Sequence, residues 1–144
     1  MAGFSNSLAN AIINSTLRGQ AFPTIRTTYF ALFTADPTDA FSAGTEVSDA
    51  FAYKPAWYAR RPTGAFASPT TGSTYNTTQV QFAPVTGSSV VVTHVGIVEG
   101  SSPTDVTSTL LYSYQLTEPK TLAVNDVYVI DTAGSSGDFT LTLL

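Results

Sequence analysis

The 144-residue chain has no cysteine, so disulfide staples and thiolate metal sites are excluded and the fold must rest on packing. Charge is scarce. Only 11% of residues are Asp, Glu, Lys or Arg, and the cations are two lysines, Lys54 and Lys120, and four arginines. With a formal net charge of −4, the chain has no basic stripe to neutralise a run of phosphates, which argues against nucleic acid as a partner. There is one histidine, His94. No apolar run approaches the ~18 residues a membrane helix needs, and no basic segment followed by an apolar stretch opens the chain. No membrane association is expected. A glycine-rich phosphate loop, paired metal histidines and a nucleophile elbow are also missing, so the sequence names no cofactor, no metal and no catalytic residue.

What is present favours β structure. Hydrophobic residues make up 43% and aromatics 12%, too apolar a composition for a disordered chain. Ser and Thr together supply about a quarter of the residues, and Thr, Val, Tyr and Phe suit a pleated, half-buried surface. The length fits one core, no internal period repeats, and the Gly/Ser/Pro clusters are too short to separate domains. We therefore expect residues 1–144 to form a single antiparallel β-sandwich, jelly-roll or Ig-like, with a short N-terminal α-helix. Sparse surface charge also leaves little repulsion between copies, which suits close self-contact.

The helix is predicted at about residues 4–18, where Phe4, Leu8, Ala11 and Ile12 share a stripe, Ser5 or Asn6 supplies the N-cap and Gly19 the C-terminal stop. It either covers one end of its own core or docks on a partner. Residues 27–33 are apolar on both alternating faces, as in a central strand covered on two sides. Asp36-Pro37 opens a long polar connection. Residues 51–62 mix aromatics with two prolines and read as an edge strand, and residues 63–74 read as a surface loop. Further strands are predicted at 77–82, 89–99, 109–116, 126–131 and 138–144, with Glu118-Pro119 among the turns between them. In the last, Phe139, Leu141 and Leu143 face one way and Thr140 and Thr142 the other.

Three groups of residues invite a chemical reading. His94 sits in an apolar strand, on an alternating face with Val90, Val92, Gly96 and Val98. It reads as a structural histidine, the alternative being a hydrolase base that would need a nucleophile and an acid nearby. Gly96 beside it signals a bulge or a close backbone approach. Asp36, Asp39, Glu46 and Asp49 place four carboxylates in one connection, but their spacing matches no calcium loop and turn chemistry accounts for them. Phe51, Tyr53, Trp57 and Tyr58, with Arg60 and Arg61 close behind, suit a buried partner interface, a sugar platform, or simply core and edge strand. Asn14-Ser-Thr and Asn76-Thr-Thr match a glycosylation sequon, which has no weight without a secretory signal.

Taken in order, Phe4-Ser-Asn-Ser-Leu-Ala-Asn-Ala-Ile-Ile-Asn, Tyr29-Phe-Ala-Leu-Phe-Thr-Ala-Asp-Pro and Gly44-Thr-Glu-Val-Ser are distinctive. So are Val91-Val-Thr-His-Val-Gly-Ile-Val-Glu, Leu110-Leu-Tyr-Ser-Tyr-Gln-Leu-Thr-Glu-Pro-Lys-Thr and Gly137-Asp-Phe-Thr-Leu-Thr-Leu. Over nearly the whole chain these segments resemble a family of small tailed-bacteriophage virion proteins, often labelled tail-fibre proteins, to which small β capsid cements are similar. The chain departs from that pattern where Ser48-Asp-Ala-Phe-Ala-Tyr-Lys-Pro-Ala-Trp precedes Tyr58-Ala-Arg, in place of a glycine-rich stretch. The resemblance implies a non-enzymatic virion protein made in the host bacterial cytoplasm. The expectation drawn from it is a capsid cement or decoration protein on the outer capsid surface. Its partners would be the major capsid protein and further copies of itself, as a trimer in preference to a dimer. The alternative is a tail or tail-fibre-associated protein contacting the host surface or other tail subunits. The expected contact residues are Trp57, Tyr58, Arg60 and Arg61, with Asp36, Asp39, Glu46 and Asp49.

Overall fold

A computed structural model describes residues 3–41, 46–47, 57–132 and 139–142. Its N-terminal residues Gly3–Phe4 form a two-residue strand, β1, and the helix α1 follows at Asn6–Arg18. Ser5 is the N-cap, its hydroxyl accepting from the Leu8 N–H, a bond worth about 1 kcal/mol at such a position. Gly19 ends the helix with φ 65°, a left-handed turn that costs glycine nothing. Thirteen residues make a marginal helix in water, so packing must hold it: Leu8 is buried, and Ile12 and Phe4 pack against the core.

The remaining strands are β2 (Thr27–Phe33), β3 (Arg61–Pro62), β4 (Ser73–Tyr75), β5 (Val80–Gln81), β6 (Val90–Gly100), β7 (Thr109–Leu122), β8 (Val129–Ile130) and β9 (Thr140–Thr142). Five build one antiparallel sheet in the order β1-β7-β6-β2-β3, and β4 with β9 and β5 with β8 form two antiparallel ribbons. The result is mainly β and sandwich-like, as the composition predicts. Phe30, Leu32, Val95, Ile97 and Leu111 of the large sheet share one apolar cluster with Phe82, Ile130, Phe139 and Leu141 of and beside the ribbons. Tyr29, Ala31, Phe33, Val98 and Leu110 form a smaller cluster on the opposite face of the sheet, with Phe41 packed on it. Strand β2 therefore buries side chains on both faces, which is why its seven residues lack a polar alternation.

Several expectations need correcting. The helix starts at Asn6, because Phe4 is spent on pairing with Tyr112 in β7. The predicted loop at 63–74 is anchored: Phe66 packs on Phe30 and Phe139, and β4 starts at Ser73. Strand β7 does not stop at the Glu118-Pro119 signal. Between the pairs Val92↔Lys120 and His94↔Gln115, Thr93 alone faces residues 116–119, so the chain arches off the sheet and then resumes pairing. Proline is tolerated in such an arch because no ladder N–H is required of it. The same irregularity separates Val92, which joins the larger cluster, from the His94 face that carries Val98 in the smaller one. A second, one-residue bulge lies at Leu111, between the pairs Ile97↔Tyr112 and Val98↔Leu110. It turns both Leu111 and Tyr112 towards the larger cluster and frees the Leu111 carbonyl to accept the Ser5 N–H at 3.0 Å.

Candidate functional site

Beyond the two residues of β3, the outer edge of β2 is closed by other means. The Val47 N–H donates to the Leu32 carbonyl at 2.9 Å, and the Leu32 N–H donates to the hydroxyl of Tyr58 at 3.0 Å. That hydroxyl in turn donates to Glu46 Oε1 at 2.8 Å. Arg60 grips the same carboxylate with two bonds, Nε to Oε1 at 2.8 Å and Nη2 to Oε2 at 2.7 Å. Its remaining Nη1 donates to the Asp105 carbonyl at 3.1 Å and Ser108 Oγ at 2.8 Å. The pair is dry, with side chains 7% and 2% exposed. Burial, and then the Glu46 charge, pushes the Tyr58 phenol well above its ordinary value. Burial acts to lower the Arg60 value, but the Glu46 bonds outweigh it and the guanidinium is held more firmly protonated than usual. The Tyr58 hydroxyl, the Glu46 carboxylate and the Arg60 guanidinium are thus all bonded from within the chain, and together they fasten the outer edge of β2.

A second polar cluster organises the β6–β7 connection. Asp105 accepts from the N–H and hydroxyl of Ser101 and of Thr107, at 2.7–2.8 Å, and from Arg26 Nη1 at 3.0 Å. Arg26 also bonds both oxygens of Glu99. The Ser101 and Thr107 donors hold the Asp105 carboxyl far below the usual range. A third anchor is Asn76, fully buried, which accepts from the Phe139 N–H at 3.0 Å and donates to the Asp131 carbonyl at 2.9 Å. Its sequon therefore presents no amide to solvent.

Of the residues singled out from the sequence, the structure gathers Glu46, Tyr58 and Arg60 in one centre with Trp57 beside them, and places the other described ones apart from it. Trp57, Tyr58, Arg60 and Glu46 are buried; Trp57 meets Tyr58 edge-on and both join the larger cluster. Arg61 sits half-buried in the edge strand β3, with its Nε enclosed and unbonded. Asp36 is exposed and accepts the Thr38 N–H at 2.8 Å, while exposed Asp39 takes the Asn6 N–H on its main-chain carbonyl. Asp49, with Phe51 and Tyr53, lies outside the described residues. His94 is buried in the sheet, its Nδ1 bonded to Thr93 Oγ1 at 2.9 Å, and lines a polar cleft of about 350 Å³ with Asp36, Asp39 and Ser113. Among the described residues no group of three or more His, Asp or Glu is placed to hold a metal ion. No helix among them is long and apolar enough to cross a membrane.

Two further open surfaces stand out among the described residues. At 3.6 residues per turn, Ile13 and Leu17 lie about 140° and 180° round the helix from buried Leu8, and both are exposed, Leu17 by 80%. Exposed Phe22 and Ile25 follow in the next segment and line, with Leu8, an apolar groove of about 340 Å³. The other surface is a cleft beside the β7 arch.

The comparison with protein families decides the identity. A family model described as podophage GP4 fiber I protein gp80 matches residues 3–137. The chain belongs to this family. Membership makes it a phage virion structural protein, and the match spans the helix, the five-stranded sheet and both arginine centres. No curated protein matches the chain. The gp80 family match agrees with the resemblance carried by the segments around Tyr29, His94 and Leu110.

Proposed function

We propose that the chain is a tail or tail-fibre-associated virion protein without catalytic activity, one that contacts the host surface or other tail subunits. The observation that carries this reading is the match to a fibre protein family over residues 3–137. It favours the fibre over a cement on the capsid surface, since the family's description names a fibre and no capsid partner. The side-chain chemistry agrees with a structural role. The buried or strongly shifted groups, Tyr58, Glu46, Arg60 and Asp105, are bonded to one another or to the main chain, and His94 is tied to Thr93.

Exposed Ile13 and Leu17 on the side of α1 opposite Leu8, and separately the groove lined by Phe22 and Ile25, suit burial against a neighbouring subunit, either another copy of the chain or a different tail protein. In this reading the residues expected at the interface act in two ways: Trp57, Tyr58, Arg60 and Glu46 fasten the edge of β2 from within, while Asp36 and Asp39 are exposed and Arg61 is half-buried in β3. Gold-labelled antibody against the chain, imaged on intact virions, tests the proposal. Label at the tail or its fibres is expected. Label spread evenly over the head would overturn it.

A further inference from the structure

The arch of β7 lifts residues 116–119 off the sheet, opposite Thr93 alone, and beside it lies an open cleft of about 680 Å³. That volume is within the roughly 300–1,000 Å³ of small-molecule sites. The geometry points to this cleft as a binding site for a neutral saccharide, with Tyr114 and Tyr128 as the stacking surfaces and Glu118 and Lys120 as the polar contacts. The inference deepens the reading of the chain as a surface appendage and rests on it for the relevance of a glycan ligand.

Both tyrosines line the cleft and are half-buried. Tyr128 packs edge-on against buried Phe82 at 6.1 Å, and Tyr114 against Phe139 at 6.4 Å. The core thus fixes each ring while part of its surface stays open, so a ligand meets rigid aromatic area at small entropic cost. A pyranose has the complementary chemistry: an apolar C–H face and a rim of hydroxyls that each need a donor or an acceptor.

The arch supplies the rim contacts. Glu118 accepts, Lys120 donates, and the hydroxyls of Thr117 and Thr121 do either. Hydrogen bonds from a neutral hydroxyl to an ionised partner are the stronger kind. Glu46, Glu99 and Asp105 are already engaged by arginines or main-chain donors, whereas the side chains of Glu118 and Lys120 are exposed and have no partner among the described residues. Their charges cancel, so the lining does not select for an anion. The cleft therefore suits a neutral sugar better than a phosphate or a uronic acid.

The test uses the full chain on an array of neutral and anionic bacterial surface oligosaccharides, followed by calorimetric titration of the best neutral hit. Binding to at least one neutral oligosaccharide is expected. Glu118→Gln and Lys120→Met, both on exposed positions that leave the core intact, should each weaken it about tenfold or more at an unchanged melting temperature. Absence of binding to any neutral oligosaccharide would overturn the site, as would affinity unaltered in both variants. Neither result bears on where antibody labels the virion, so failure of the saccharide site and failure of the fibre reading are told apart.

Discussion

The hydroxyl of Tyr58 lies 3.0 Å from the Leu32 nitrogen and 2.8 Å from Glu46 Oε1, so one phenol both closes the edge of β2 and orients the carboxylate that Arg60 holds. Tyr58→Phe keeps the ring in the core and removes both bonds, leaving the buried Leu32 N–H without an acceptor. A loss of about 1–3 kcal/mol in urea unfolding is expected. A change near zero would mean that the bond does not contribute.

Arg60→Met should cost more, about 3–5 kcal/mol, because it strands the Glu46 carboxylate away from water with no cation. Adding Glu46→Gln to it should recover part of that loss, since the charge left behind is then removed. Additive losses in the double variant would show that the two side chains are not coupled. The same chemistry predicts alkaline sensitivity. The raised Tyr58 value stabilises the fold below the ordinary phenol pKa of about 10, and that contribution is lost as pH rises towards the value in the folded chain.

At Gly96 a methyl group would sit 2.8 Å from Phe33 Cε2, 3.0 Å from the Tyr112 carbonyl oxygen and 3.1 Å from Leu110 Cδ1. The ring is enclosed by the cluster it fills, and the carbonyl belongs to a paired strand. Gly96→Ala is expected to lower stability by about 1–3 kcal/mol through overpacking. Thermal melting of the variant checks this; an unchanged melting temperature would show that the strand gives way freely.

How much of this could be read from the sequence followed from how local each signal is. The Ser5 cap, the Gly19 stop and the bounds of β2 are written in neighbouring residues, and the close approach signalled by Gly96 is seen against Phe33. The extent of β7 was not legible, because its continuation past Pro119 is decided by pairing with β6 across an arch. The same arch reassigns Val92 away from the His94 face. The inward placement of Trp57, Tyr58 and Arg60 was one of the readings open in the sequence and could not be chosen there: their partner Glu46 stands at no characteristic spacing, and arginine beside aromatics also has the composition of a surface contact. Asp105 and Asn76 gave no signal beyond ordinary turn residues, yet each satisfies several main-chain groups. The exposed Ile13 and Leu17 were within reach of the helical period, which places them opposite Leu8.

Acid should weaken the β6–β7 connection. The donors of Ser101 and Thr107 depress the Asp105 value, and the bonds from Arg26 lower Glu99 against the opposing effect of desolvation. Both carboxylates are thus more acidic folded than unfolded. Their contribution is complete above the ordinary carboxylate values of about 4 and is lost as pH falls through the depressed ones. Asp105→Asn should flatten the acid limb of a stability-against-pH curve. An acid limb identical to that of the parent chain would count against this role.

The central claim, that the chain is a tail or fibre component of the virion, is tested most directly by its copy number relative to the major capsid protein in purified particles, measured by quantitative mass spectrometry. A ratio corresponding to a small multiple of the tail symmetry is predicted. A copy number approaching that of the major capsid protein would contradict the claim and point to a shell-covering cement.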